Sequence, residues 1–180
     1  MKKILIITNR YKDLEQRNTE KVCAYLNAKG VKVVRTLVDR KVMSLDESLF
    51  DEIDCAIILG GDGTMIQFAN QLSAHDIPML GINLGHMGYL AEVDSSNVEP
   101  ALNKVLSGDF TVQERMMLNG MMTKDGNLVY KQNALNDVVI TRSGRLQVLT
   151  FNIVYALLYM QYIHICIYKN TYLYINNSKL

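Results

Sequence analysis

Two glycine-rich runs carry the chemistry this chain can do. The first, Leu59-Gly60-Gly61-Asp62-Gly63-Thr64, leaves an apolar stretch and enters one with helical spacing. Glycines at such a junction let the backbone reach polyphosphate oxygens, because no Cβ blocks the approach. The start of the following helix adds roughly half a positive charge for the same oxygens. Asp62 is the odd member, since a carboxylate in an anion-binding turn needs a task of its own. It can take a proton from an attacking hydroxyl or hold Mg²⁺ against the phosphates. The residues leave a third reading open, in which Asp62 caps the helix and the glycines only make a tight turn. The second run, Gly81 to Leu90, contains Gly85-His86-Met87-Gly88-Tyr89 and also follows a strand-like segment. Two such turns at neighbouring strand ends form the crevice where open α/β sheets bind ligands. Neither run is a G-x-x-x-x-G-K-[ST] or a G-x-G-x-x-G loop. His86 reads as either a ligand contact or a surface histidine.

The elements that must position these turns follow from hydrophobic period. Lys3 to Thr8, Val31 to Val34, Cys55 to Leu59 and Ile77 to Asn83 are buried-strand runs. Between the first two, Thr19 is placed to cap a helix carrying Val22, Tyr25 and Leu26 that stops at Gly30. After the first glycine turn, Met65, Ile66, Phe68, Ala69 and Leu72 mark a helix ending near His75. Ser96-Asn97-Val98-Glu99 has the capping-box pattern and opens a helix that stops at Gly108. Strand, helix and strand in alternation give an α/β domain with a parallel, Rossmann-like sheet. Beyond Gly108 the period changes. Thr111 to Leu118, Gly120 to Thr123, Leu128 to Lys131 and Leu135 to Thr141 are strands in quick succession, with Asp125-Gly126 as a hairpin turn. They predict an antiparallel second domain, the start of an all-β sandwich.

Composition narrows the class. The chain has 180 residues, 49% hydrophobic and 21% charged, which suits a globular protein and excludes wholesale disorder. A net charge of +1 gives no signature for nucleic acid. Cys23, Cys55 and Cys166 make neither a disulfide framework nor a C-x-x-C site. The apolar run after Met1 is too short for a secretory signal, so a cytoplasmic protein is expected. That average hides a split at Asp137. Residues 1–137 hold all 18 acids and sum to −3, whereas the remaining residues hold Arg142, Arg145, Lys169 and Lys179 and sum to +4.

The motifs together resemble the NAD kinase family, whose members phosphorylate the 2′-hydroxyl of the adenosine ribose of NAD. The matching segments are Asn9-Arg10-Tyr11-Lys12-Asp13, Gly60 to Thr64, Gly81 to Leu90, Glu114 to Leu118 and Ala134-Leu135-Asn136-Asp137-Val138-Val139-Ile140. The first glycine motif is shared with diacylglycerol, sphingoid and phosphofructo-kinases; the second turn with Leu135 to Ile140 is far more specific. The resemblance spans about residues 1–153. It implies Asp62 as general base, Asp62 and Gly63 as NAD contacts, and Gly60, Gly61, Gly63 and Thr64 as the phosphate loop. It also implies that Asn136 and Asp137 bind the adenosine end of the dinucleotide, with Tyr89 an aromatic near the nucleotide. ATP with Mg²⁺ or another divalent metal is the implied donor, NAD the acceptor, and a homo-oligomer the family's assembly. No resident metal ligand is expected. Asp137 stands where the family has Glu, and Gln67 where many members have a base.

The tail departs from that pattern. Family members add a β-sandwich domain and a closing segment, on the order of 100 residues beyond this point; they carry an Asp-Gly motif and a Thr-Pro-Thr-Gly-Ser-Thr-type loop, and nothing here matches either. Between Val154 and Leu180, Tyr, Ile, Asn and Lys make up 15 of 27 residues, the output expected of AT-rich DNA read out of frame. The expectation is a kinase truncated by a frameshift near codon 153, of weak or no activity. The domain bounds are then 1–108, 109–153 and a divergent tail, 154–180. A membrane anchor over residues 146–168 is the weaker reading, and the closing Ser-Lys-Leu spells a peroxisomal address by coincidence. Two further readings stay open: a non-catalytic nucleotide-binding subunit paired with an intact kinase, and a lipid kinase sharing the glycine motif.

Overall fold

Four consecutive isoleucine and leucine side chains, Ile4 to Ile7, are fully buried in β1 (Lys3–Asn9), so this strand has protein on both faces. That is the condition under which strands become runs of apolar residues without alternation. The computed structural model describes residues 1–135, except Arg40, Met43, His86, Met87 and Glu92, together with the backbone of 161–167. The elements after β1 are α1 (Arg17–Ala28), β2 (Lys32–Val38), a 3-10 turn (Glu47–Phe50), β3 (Cys55–Gly60) and α2 (Asp62–Ala74). They are followed by β4 (Met79–Asn83), β5 (Val93–Asp94), α3 (Val98–Ser107), β6 (Thr111–Lys124), β7 (Asn127–Ala134) and β8 (Gln161–Ile167).

The strands β2, β1, β3 and β4 lie side by side and parallel, with β5 added to the end of β4. Successive side chains point to opposite faces, and the core divides accordingly. On one face Leu5, Ile7, Ala56 and Ile58 pack with Met65, Phe68, Ala69 and Leu72 of α2. On the other, Ile4, Ile6, Ile57 and Leu59 pack with Val22 and Leu26 of α1 and with Leu102 and Val105 of α3. This is the doubly covered parallel sheet that alternating strands and helices require.

Local signals were less faithful than the period. Thr19 is not the cap of α1: the helix starts at Arg17, and Thr19 is buried two residues inside it. The capping box at Ser96 does not form either; a 3-10 turn over Ser95–Asn97 leads into α3, whose N-cap makes no side-chain bond. Gly108 does terminate α3 in the left-handed region, at φ 79°. The runs expected as two strands, Thr111 to Leu118 and Gly120 to Thr123, are the single strand β6, because Asn119 and Gly120 keep their pairing with β7. Asp125 and Gly126 turn the hairpin with φ 52° and 79°, the left-handed pair that a tight turn demands.

Of the expected sandwich, the antiparallel β6–β7 pair is present. The first half of β6 is not free: it runs antiparallel to β8, from Thr111 opposite Ile167 to Met117 opposite Gln161. In turn β8 lies parallel to β4, through Met79 and Ile165, which makes the sheet continuous in the order β2-β1-β3-β4-β8-β6-β7. Part of the compositionally divergent tail is thus a strand inserted between the parallel sheet and its hairpin. No helix among the described residues is long and apolar enough to cross a membrane.

Candidate active site at the strand ends

The register brings the two glycine turns together. Gly60 is paired with Asn83, and Thr8 with Leu59, so the carboxyl ends of β1, β3 and β4 stop side by side. The Leu84 amide then donates to the Gly60 carbonyl at 2.9 Å, tying the exit of one strand to the exit of its neighbour. Side chains complete the floor. The Asn9 amide donates to Thr64 Oγ1 at 3.0 Å, and Asn83 Oδ1 accepts from the Gly85 amide at 2.9 Å.

Not every glycine is required by packing. A Cβ on Gly60 would lie 2.7 Å from Thr64 Oγ1, and one on Gly81 would lie 2.7 Å from the Ala91 backbone, so both hold elements together. A Cβ on Gly61 or Gly63 would meet nothing within 4 Å. Gly61 is also extended, at φ −158°, which any residue adopts. Neither fold nor strain asks for glycine at these two positions. What they leave is bare backbone at the start of α2, open to whatever occupies the crevice.

Asp62 is the first residue of α2 and faces across the crevice to the second turn. Its Oδ2 accepts from the Tyr89 amide at 2.7 Å, and its Oδ1 accepts from Leu90 and Ala91 at 3.0 and 3.1 Å. Gly88 makes this possible: a Cβ there would stand 2.1 to 2.5 Å from the carboxylate atoms. Asp62 does not cap α2 with its own side chain, because its oxygens accept from residues 89 to 91 of the second turn instead. The side chain of Tyr89 is 84% exposed and contributes its backbone rather than its ring.

Behind the crevice, Asp13 does the capping that the sequence assigns to Thr19. Its carboxylate is buried and accepts from the Asn18 and Thr19 amides at 3.2 and 2.8 Å, and from the Thr19 hydroxyl at 2.7 Å. With its proton given to Asp13, Thr19 accepts from Thr8 at 2.9 Å, linking β1, the loop after it and α1. Burial pushes the Asp13 carboxyl up, but these hydrogen bonds from Thr19 and Asn18 outweigh it and hold it below the usual carboxylate range. Lys12 reaches over the second turn, with its Nζ 3.1 Å from where a Cβ of Gly85 would be.

The structure therefore brings together Gly60, Gly61, Asp62, Gly63 and Thr64 at one strand end, as the spacing implied. Asn136, Asp137 and His86 lie outside the described residues. Gln67 donates to the Val42 carbonyl, and Gln71 makes paired bonds with the Leu45 backbone. The roles of Asp13, Asn83 and Gly88 were not legible from residue type. Only the side-chain oxygens clustered at Asp13, Asn18 and Thr19 hinted at a helix entry. Among the described residues no group of three or more His, Cys, Asp or Glu gathers to hold a metal ion.

Residues 8–110, more than half of the chain, match the ATP-NAD kinase N-terminal domain. The chain is 39% identical over 159 residues to the NAD kinase of Lachnospira eligens, covering 85% of this chain and 54% of that protein. It is 39% identical over 152 residues to the NAD kinase of Lachnoclostridium phytofermentans, covering 80% and 52%. Among solved structures, yeast NADH kinase complexed with NADH superposes with a TM-score of 0.62 at 17% identity, over 76% of this chain and 47% of that one. At that identity the likeness is one of fold. The chain spans about half the length of the curated relatives it matches. The lipid-kinase and non-catalytic-subunit readings gain no support from these matches.

Proposed function

The chain belongs to the NAD kinase family, and from that premise we propose that it carries the phosphoryl-transfer half of an ATP:NAD 2′-phosphotransferase site. The observation that carries the reading is the bare backbone of Gly61 and Gly63 beside the Asp62 carboxylate, at the start of a helix. In the proposed reaction Asp62 takes the proton of the ribose 2′-hydroxyl as that oxygen bonds to the γ-phosphorus of ATP. The bond from the γ-phosphorus to the bridging oxygen breaks, and ADP leaves. Phosphoryl transfer asks little covalent chemistry of a protein beyond positioning, charge stabilisation and a base. Gly60, Gly61, Gly63 and Thr64 would cradle the phosphates with main-chain amides, and Asp62 and Gly63 would contact NAD. The divalent cation would enter with ATP as part of the donor. Asn136 and Asp137 would hold the adenosine end. The buried free thiol of Cys23 suits a cytoplasmic setting.

Turnover by these 180 residues on their own is expected to be weak or absent, since they supply about half the length of the relatives they match. Measuring NADP formation and NAD binding by the purified chain, with Asp62→Asn beside it, tests the reading. NAD binding at the crevice with little turnover is the expected result. A chain that binds neither ATP nor NAD would overturn the assignment, and strong turnover dependent on Asp62 would overturn the expected weakness.

A further inference from the structure

A carboxylate offers about four acceptor sites, two on each oxygen. In Asp62 they are used unequally. Oδ1 takes two amide donors, from Leu90 and Ala91, and is full; Oδ2 takes one, from Tyr89, and among the described residues keeps a site open. We propose that the two oxygens of Asp62 divide the work: Oδ1 is a fixed latch that shapes the second glycine turn, and Oδ2 is the atom that meets the substrate hydroxyl. Asp62 is then a positioning residue for the turn as well as a base, and Gly88 is the position that permits it. The latch stands on the hydrogen bonds alone, while the role of Oδ2 rests on the phosphotransfer reading.

The geometry makes the latch specific. Three consecutive amides, 89 to 91, converge on one side chain reached from the start of α2, 27 to 29 residues away in sequence. Such convergence fixes the turn's backbone relative to the phosphate loop before any ligand arrives. It also explains why Gly88 lies against the carboxylate with no room for a Cβ. An aspartate chosen only as a base needs none of these donors.

Amide hydrogen exchange of the full chain, read residue by residue without nucleotide, tests the division. In the wild type, Tyr89, Leu90 and Ala91 should exchange at least about tenfold slower than unstructured amides, despite the exposure of Tyr89. Asp62→Asn keeps one carbonyl oxygen, so Leu90 and Ala91 should stay protected; its NH₂ faces the Tyr89 amide, which should lose protection. Asp62→Ala should release all three, and Gly88→Ala should do the same with the charge intact, while amides of β1 remain unchanged. Unprotected amides 89 to 91 in the wild type would overturn the latch. So would protection in Asp62→Asn that is equal at all three. Should Asp62→Ala fail to fold, the wild-type and Asp62→Asn arms still decide. NAD binding, measured separately by calorimetry on the wild type, decides the phosphotransfer reading: protection without binding sinks that reading and leaves the latch.

Discussion

The parallel sheet and the hairpin that follows it both carry large apolar side chains along their strands, yet they stand in opposite relations to water. In β1, β3 and β4 nearly every side chain is buried, covered by α2 on one face and by α1 and α3 on the other. In β6 and β7, Met116, Leu118, Met121, Met122, Leu128, Val129 and Tyr130 are 45 to 65% exposed. Apolar content alone therefore does not make a core; a covering layer does. The sheet supplies its own layers, whereas the hairpin is anchored near its base by Met117, buried in the core, and by β8 along one edge. Large apolar side chains left exposed on both faces of a hairpin mark a surface that belongs against something else.

The sharpest way to break this contrast is to truncate one side chain in each region. Phe68→Ala empties a fully buried site and should cost about 3–5 kcal/mol, whereas Met122→Ala should stay within about 0.5 kcal/mol. Denaturant titration of both variants would show it, and similar losses would mean the hairpin is covered in solution. Next in size is Asp13→Ala, which strands the Thr19 and Asn18 donors behind the crevice and should cost about 1–3 kcal/mol. Because the Asp13 carboxyl lies below its ordinary value of 3.8 in the fold, its stabilisation is full above that value and is lost as pH falls through the lower, folded one. Melting followed between pH 6 and 2 should therefore show an acid-side loss that the variant lacks. The smallest effect on stability belongs to Gly61→Ala, within about 0.5 kcal/mol, since its Cβ meets nothing. Its effect should appear in titration with an ATP analogue, as about a tenfold loss of affinity, worth roughly 1.4 kcal/mol. Unchanged affinity would remove the phosphate-loop role from that glycine.

What the sequence revealed and what it hid divide along the same line. Buried runs such as Ile4 to Ile7, and the helical spacing of Met65, Phe68 and Leu72, are fixed by burial over many residues, so one misleading side chain cannot disguise them. Helix starts depend on a single donor–acceptor choice. Thr19 and Ser96 had the right chemistry for caps, but Asp13 reached the α1 amides first, and a 3-10 turn took the place of the second box. In the site, the glycines of the first turn were readable because they sit beside one another. The bond from Asp62 to residues 89 to 91 was not, since it exists only once β3 and β4 are in register. The place of β8 could not be read from composition either, because pairing is set by register and neighbours rather than by which residues are abundant.

The position of β8 also sets an order of assembly on the ribosome. In the chain β6 is made before β8, but in the sheet β8 lies between β4 and β6. At synthesis rates of about 5–20 residues per second, the parallel unit through α3 can therefore close first. The hairpin must then wait with its edge unmet until residues 161–167 emerge to bridge it. That interval, when an apolar strand is finished and its neighbour is not, is when this chain is most exposed to capture by chaperones or to pairing with another nascent copy.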